Sequence, residues 1–225
     1  MHCDNRVEQK DLSLQNGQYV TVEDGRPFSG EATARFENGK PRMICAYEDG
    51  LKNGLVKTWY INGQMETGVN YQKGEMNGLF RRWHWNGQLA EQVSYDQGKR
   101  SGKYIEWHEN GQKAKACEFI DDLLQGELSL WSVAGTVMQK TTYADGVREG
   151  LHVSFHANGQ KAVEAMYHKD ALHGQFRSWY DNGMRKEEGS YENGLKEGLH
   201  QSWHWQGTLT HSILYNNGMP QRQED

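Results

Sequence analysis

Histidine is the residue type in this chain with the clearest claim on chemistry. Four of them, His84, His108, His156 and His204, fall at one position of a 24-residue period, and His152 and His200 precede two of those by four residues. Neutral imidazole is a common zinc ligand, and ligands that share a zinc ion must each come within ~2.1 Å of it. In paired strands, equivalent residues of successive units stand two strands apart, about 9.5 Å, and residues four apart along one strand about 13 Å. Neither spacing closes around one ion, so the histidines read as packing or surface residues and no metal is expected. Hydrolytic chemistry fares no better. The chain has no Gly-x-Ser-x-Gly elbow and no phosphate-cradling glycine loop. Glu187-Glu188 and Asp121-Asp122 are sequence neighbours, which places each pair on opposite strand faces or in a turn, a poor geometry for paired acid and base work. The expectation is a protein that is not an enzyme, with no cofactor and no small-molecule substrate.

The elements that hold these residues are legible in the glycines. The phrase Trp59-Tyr60-Ile61-Asn62-Gly63-Gln64 returns every 24 residues, its glycine standing at 39, 63, 87, 111, 135, 159, 183 and 207, each preceded nine residues earlier by another at 30, 54, 78, 102, 126, 150, 174 and 198. A fixed period of this length signals a repeat architecture. Asn-Gly between alternating arms predicts a hairpin with a type I′ turn, since both residues tolerate positive φ. A second, longer turn, Tyr-x-x-Gly-x-x-x-Gly, joins one hairpin to the next. The predicted fold is all-β: an elongated, twisted, single-layer antiparallel meander of about eight β-hairpin repeats.

Two aromatic columns run through the period, Trp59, Trp83, Trp107, Trp131, Phe155, Trp179 and Trp203, and Tyr47, Tyr71, Tyr95, Phe119, Tyr143, Tyr167, Tyr191 and Tyr215. Together with the small column Cys45, Val69, Val93, Cys117, Thr141, Ala165 and Ile213, interrupted by Gly189, they are expected on one packed face, the other face being polar. The first strand of each hairpin presents its apolar side through either the Trp column or the Val56, Phe80, Tyr104, Leu128, Phe176 column, and pattern alone leaves both open.

Of the 225 residues 36% are hydrophobic and 24% charged, few apolar groups for one globule of this size but enough for units that contact only their neighbours. A net charge of −5 with scattered basic residues suggests no nucleic-acid groove. Residues 1–18 read as a flexible polar lead-in, 19–220 as one repeat domain whose first unit, 19–46, is a degenerate cap, and 221–225 as a disordered tail. Cys45 and Cys117 read as small core residues. Cys3 has two readings: an incidental thiol, or a lipid-attachment cysteine at the mature start of a lipoprotein, with the polar stretch after it as tether and Met1-His2 a remnant. The unit 119–142 departs most, with Asp122 for glycine, the run Leu123-Leu124, and Ala134-Gly135 for Asn-Gly. Drift explains this, or a patch for a partner.

The unit seen whole in Tyr47 to Gln64 and Tyr95 to Gln112 resembles the MORN variant repeat of bacteria, and the resemblance covers nearly everything from about 30 to 220. Chains built only of this repeat are similar to antitoxins and to the immunity proteins of secreted effectors. The resemblance implies a binding protein with a toxic enzyme as its protein partner and brings no catalytic residues. The residues expected to meet that partner are His84, Trp85, His108, Leu123, Leu124, His156, His204 and Trp205. The lipoprotein reading of Cys3 adds a membrane tether in the periplasm, with the cytoplasm as the alternative.

Overall fold

The computed structural model describes residues 6–221, so Cys3, Met1-His2 and all of the expected tail but Gln221 lie outside the described residues. The described residues are almost wholly strand and turn, with one short 3-10 turn at Gln9–Asp11. Two compact units are distinguished, residues 1–112 and 113–225. Within each, antiparallel strands follow one another in chain order, as in the ladder from Leu123–Trp131 through Val137–Ala144, Val147–Phe155, Lys161–His168, Ala171–Trp179, Arg185–Glu192 and Leu195–Trp203 to Leu209–Asn216. The all-β meander of hairpins is therefore as expected.

The turn chemistry is reversed from the expectation. At Ile61-Asn62-Gly63 the Gly63 N–H donates to Tyr60 O at 2.8 Å and the Tyr60 N–H to Gln64 O at 2.9 Å. Gly63 alone has positive φ, 96°. This is a three-residue loop, a type I turn closed by a left-handed glycine, and Asn-Gly serves it as well as it would a type I′ turn. Type I′ geometry occurs instead at the connection between hairpins, which is tight rather than long: Lys73 and Gly74 have φ of 49° and 88°, and Gln72 pairs directly with Glu75. The second glycine of that stretch marks a bulge. Gly54, at φ 103°, sits where the register slips between Cys45 and Tyr47, and the extra residue there is left unpaired.

Both rows of turns are tied from one hairpin to the next. The Gly74 N–H donates to Lys52 O, and Gly146, Gly194 and Gly218 do the same to Leu124, Leu172 and Lys196. The other amide of each connecting turn is met by a side chain 20 residues upstream, Glu149 for Lys169 and Glu197 for Asn217. At the opposite ends of the strands, the Asn62, Asn158 and Asn182 amides donate to Trp85, Asp181 and Trp205 carbonyls at 2.6–3.0 Å. Turn groups that water would otherwise have to satisfy thus hold the stack together.

The ladders decide which column faces inward. Ala32, Cys45, Val56 and Val69 lie opposite one another across four strands, as do Leu128, Thr141, His152, Ala165, Phe176 and Gly189 across six. Cys45, Val93, Thr141 and Ala165 are at most 1% exposed, and Val69 and Cys117 are also buried, so the small column and the Val56 column form the packed face. Cys45 forms no disulfide. The Trp column parts from the Tyr column. Trp59 stands three residues from Val56 on an uninterrupted strand and so takes the other face, while the bulge opposite it, repeated in later hairpins, lies in the returning strand between Met65 and Thr67. Trp83 consequently packs 3.7 Å from where a Gly68 side chain would begin, on the side of the sheet away from Val69.

Residues 6–21 are folded, contrary to the flexible lead-in expected as far as 18. Arg6–Glu8 runs parallel to Gly30–Arg35. Leu12–Gln15 and Gln18–Thr21 form a hairpin whose Tyr19 N–H donates to Gly50 O at 2.7 Å. Leu12, Phe28 and Tyr47 close over Ala32, Cys45, Val56 and Val69, with Val7 and Tyr19 against them. The segment folds because its few apolar residues complete a packed face that the first hairpin otherwise leaves open.

Candidate interaction surface

The periodic histidines owe their recurrence to the fold. The His84 Nε2–H donates to the Trp107 carbonyl at 2.8 Å and that of His156 to the Trp179 carbonyl at 2.9 Å. The hydroxyls of Tyr60 and Tyr180, at the same repeat position, donate to Trp83 and Trp203. A ring with one donor at its far end is what the position selects, and imidazole and phenol both provide it. His108 closes its own turn through its backbone, its N–H reaching Gln112 O at 2.8 Å. His204 leans on Trp205, ring centroids 5.5 Å apart.

The remaining expected contact residues divide between the two rows of turns. Trp85 and Trp205, each more than half exposed, sit at tips of the Asn-Gly row, Trp85 stacked on Tyr60 at 5.1 Å. Leu123 and Leu124 sit beside a connecting turn of the other row. Leu123 lies over Gly146, as Leu51 lies over Gly74 and Leu195 over Gly218, so its apolar character follows from the repeat. Leu124 stands opposite Phe119, at the position where Lys52 and Arg148 stand opposite tyrosines. The eight residues thus divide between the two rows of turns, three of them in residues 1–112 and five in 113–225. The cations at Leu124's position serve the Tyr column: Lys52 lies over Tyr71, Arg148 over Tyr167 and Lys196 over Tyr215, at 4.1–5.0 Å.

Two features escaped sequence reasoning. On the face away from the buried row, residues 113–225 present exposed apolar cross-strand pairs, Leu151 with Met166 and Leu199 with Leu214. Beside them Arg177 bridges Glu164 and Glu188 at 3.7 and 3.1 Å, and Arg185 also bonds Glu188. The sequence signal was apolar residues on the outward parity of one strand, Leu151 and Val153 on either side of the inward position His152. In residues 1–112 the same face carries a shallow groove lined by Leu55, Lys57, Met65, Leu79, Arg81 and Trp83. The second feature is a cleft of about 190 Å³ on the packed face, walled by Phe176, Tyr191, His200 and Tyr215.

Inside the packed face His152 replaces an aliphatic residue. Its Nδ1 lies 2.8 Å from Thr141 Oγ1, which also accepts from Gln139, so the threonine hydroxyl donates to an unprotonated Nδ1. Burial, with Arg148 adding to it, lowers the pKa of His152 below 6.5. The unfolded chain therefore binds this proton more readily than the folded one. The contribution of His152 to stability is complete above about pH 6.5 and falls as pH drops from there toward the lowered folded value. A His152→Gln variant is expected to lose that component of the slope, measured as the difference in Tm between pH 8 and 5.5; an unchanged slope would contradict it.

Among the described residues no group of three or more His, Cys, Asp or Glu is placed to hold a metal ion. The nearest approach to a nucleophile, Ser202 Oγ at 3.1 Å from His211 Nδ1, has Glu187 across the ladder from the serine rather than behind the imidazole, the reverse of what a triad requires.

The model for the MORN repeat variant family matches residues 76–97, 148–169 and 172–193, segments of equal length set in one frame of the 24-residue period. Each spans one strand of the packed face, its three-residue loop and the strand that returns to the next connecting turn. Repeats of this kind are in general protein- or membrane-binding and non-catalytic. No curated protein is similar to the chain at a significant level.

Proposed function

We propose that this protein is a non-catalytic immunity or antitoxin protein that binds a cognate toxic effector enzyme and blocks it by contact. The observation that supports the reading is the uncovered apolar pairs Leu151–Met166 and Leu199–Leu214 beside the Arg177 ion-pair row. Exposed apolar groups in a contiguous setting with polar neighbours are typical of protein contact surfaces. A strand face offers such a surface without a deep pocket, and the aromatic tips Trp85 and Trp205 supply anchors of the kind that dominate interface energetics. The test is co-expression with the toxin encoded next to it. Cells are expected to survive with the wild type and to be poisoned with Leu199→Lys/Leu214→Glu, a double variant on an exposed face whose opposite charges pair across the ladder and should leave Tm nearly unchanged. Failure of the wild type to rescue or to bind that neighbour would remove the reading.

A membrane-associated scaffold is the second reading, favoured by the membrane-binding habit of some repeats of this kind; it predicts lipid binding or several partners in place of one tight complex. Tethering through Cys3 in the periplasm belongs to either reading, and mass spectrometry of the native N-terminal peptide would find a diacylglyceryl cysteine or a bare thiol.

A further inference from the structure

The cleft on the packed face of residues 113–225 holds a carboxylate that no cation of the fold meets. Ser178, Glu187, Ser202 and His211 stand opposite one another on successive strands. Ser178 is 6% exposed, and its hydroxyl oxygen is buried with no hydrogen-bond partner. Its cross-strand neighbour Glu187 is exposed, lines the cleft and enters no ion pair among the described residues, unlike the cleft's other carboxylate, Glu188, which Arg177 and Arg185 hold. The Glu187 charge, after burial, raises the pKa of Tyr191, so the carboxylate faces the aromatic wall. That wall is continuous: Phe176 meets Tyr191 edge-on at 5.7 Å, and His200 meets Tyr191 and Tyr215 at 5.2 Å each.

A carboxylate without an ion-pair partner set against a wall of aromatic rings is complementary to one kind of group, a cation that carries several N–H donors. We propose that this cleft binds a guanidinium or primary ammonium group, with Glu187 as its counter-ion and Tyr191 as the ring it lies against. Lys196, whose ammonium lies 5.0 Å from the centroid of Tyr215, already holds the Tyr215 end of the cleft and confines a second cation to the Glu187 side. The His200 Nε2–H donates to Ser190 O at 2.7 Å and keeps that ring in place as a wall. Two sources carry this chemistry, a small free amine and an arginine or lysine side chain of a protein partner.

The test is independent of any toxin. Agmatine and N-acetyl-arginine-amide are titrated into the full chain while the tyrosine and histidine ring resonances are followed by NMR. Saturable shifts confined to Tyr191, His200 and Tyr215 are expected. Glu187→Gln should weaken binding at least fivefold and Glu164→Gln, which removes the same charge outside the cleft, less than twofold. Both variants keep hydrogen-bonding capacity, and an unchanged Tm shows that they fold. Comparable affinity for the two probes supports a site that reads the cation alone, whereas preference for the amide-flanked arginine supports it as a seat for a protein side chain. No saturable shift, or equal losses in the two variants, would overturn the proposal. A cleft that binds agmatine in a protein that fails to rescue cells would separate this site from the immunity reading.

Discussion

Replacing Phe28 by alanine is expected to destabilise residues 1–112 by about 3–5 kcal/mol, the usual cost of a buried phenylalanine. The side chain is 2% exposed, meets Tyr47 edge-on at 6.0 Å, and its backbone binds both neighbours, donating to Tyr19 O and accepting from Gly50. It is the stopper between the Leu12–Thr21 hairpin and the packed face. Without it the hairpin should open, and amide exchange at Tyr19 and Gly50 should accelerate ahead of exchange at Val93. A urea midpoint within experimental error of wild type would show that residues 6–28 lie on the first hairpins without stabilising them.

The other large effect is expected at Gly189. A methyl group there would begin 2.3–2.6 Å from three atoms of the His200 ring, closer than any packing tolerates. Gly189→Ala must expel the imidazole, break its bond to Ser190 and disturb both tyrosine contacts. Overpacking at about 1–3 kcal/mol and a lost hydrogen bond at about 1 kcal/mol give an expected loss of roughly 2–4 kcal/mol. The two residues act as one fitted pair, so Gly189→Ala/His200→Ala should cost less than the sum of the single changes by at least about 1 kcal/mol. Strict additivity in that cycle would mean that the ring does not fill the notch.

These two positions show what the sequence conveys and what it hides. The period, the hairpins and the buried small column were legible because glycine spacing and residue size repeat without insertion. The side taken by the Trp column was hidden: it alternates against the Val56 column, and pattern alone does not say which of the two joins the buried row until the ladder sets Val56 opposite Cys45 and Val69. Turn types were exchanged because Asn-Gly suits both geometries, while Lys73 and Gln97 enter left-handed backbone with φ of 49° and 47° although neither residue type announces it. Gly189 read as an interruption in a column, whereas in three dimensions it is the space that His200, eleven residues on, requires. The histidine column was visible, and its purpose emerged only with the carbonyls 23 residues downstream that it meets. The cleft was hidden for the same reason, since Ser178, Glu187, Ser202 and His211 become neighbours only through the ladder.

The staples between turns carry a further consequence, for inheritance. Because Gly146 bonds Leu124 and Asp170 bonds Arg148 in the same manner, excising Tyr143–Met166 would deliver Asp170 to Leu124 and restore the seam. Recombination between misaligned copies of the repeat can therefore lengthen or shorten the chain in steps of 24 codons, each product retaining its faces, whereas a one-residue indel within a strand would turn the side chains beyond it to the other face as far as the next turn or bulge.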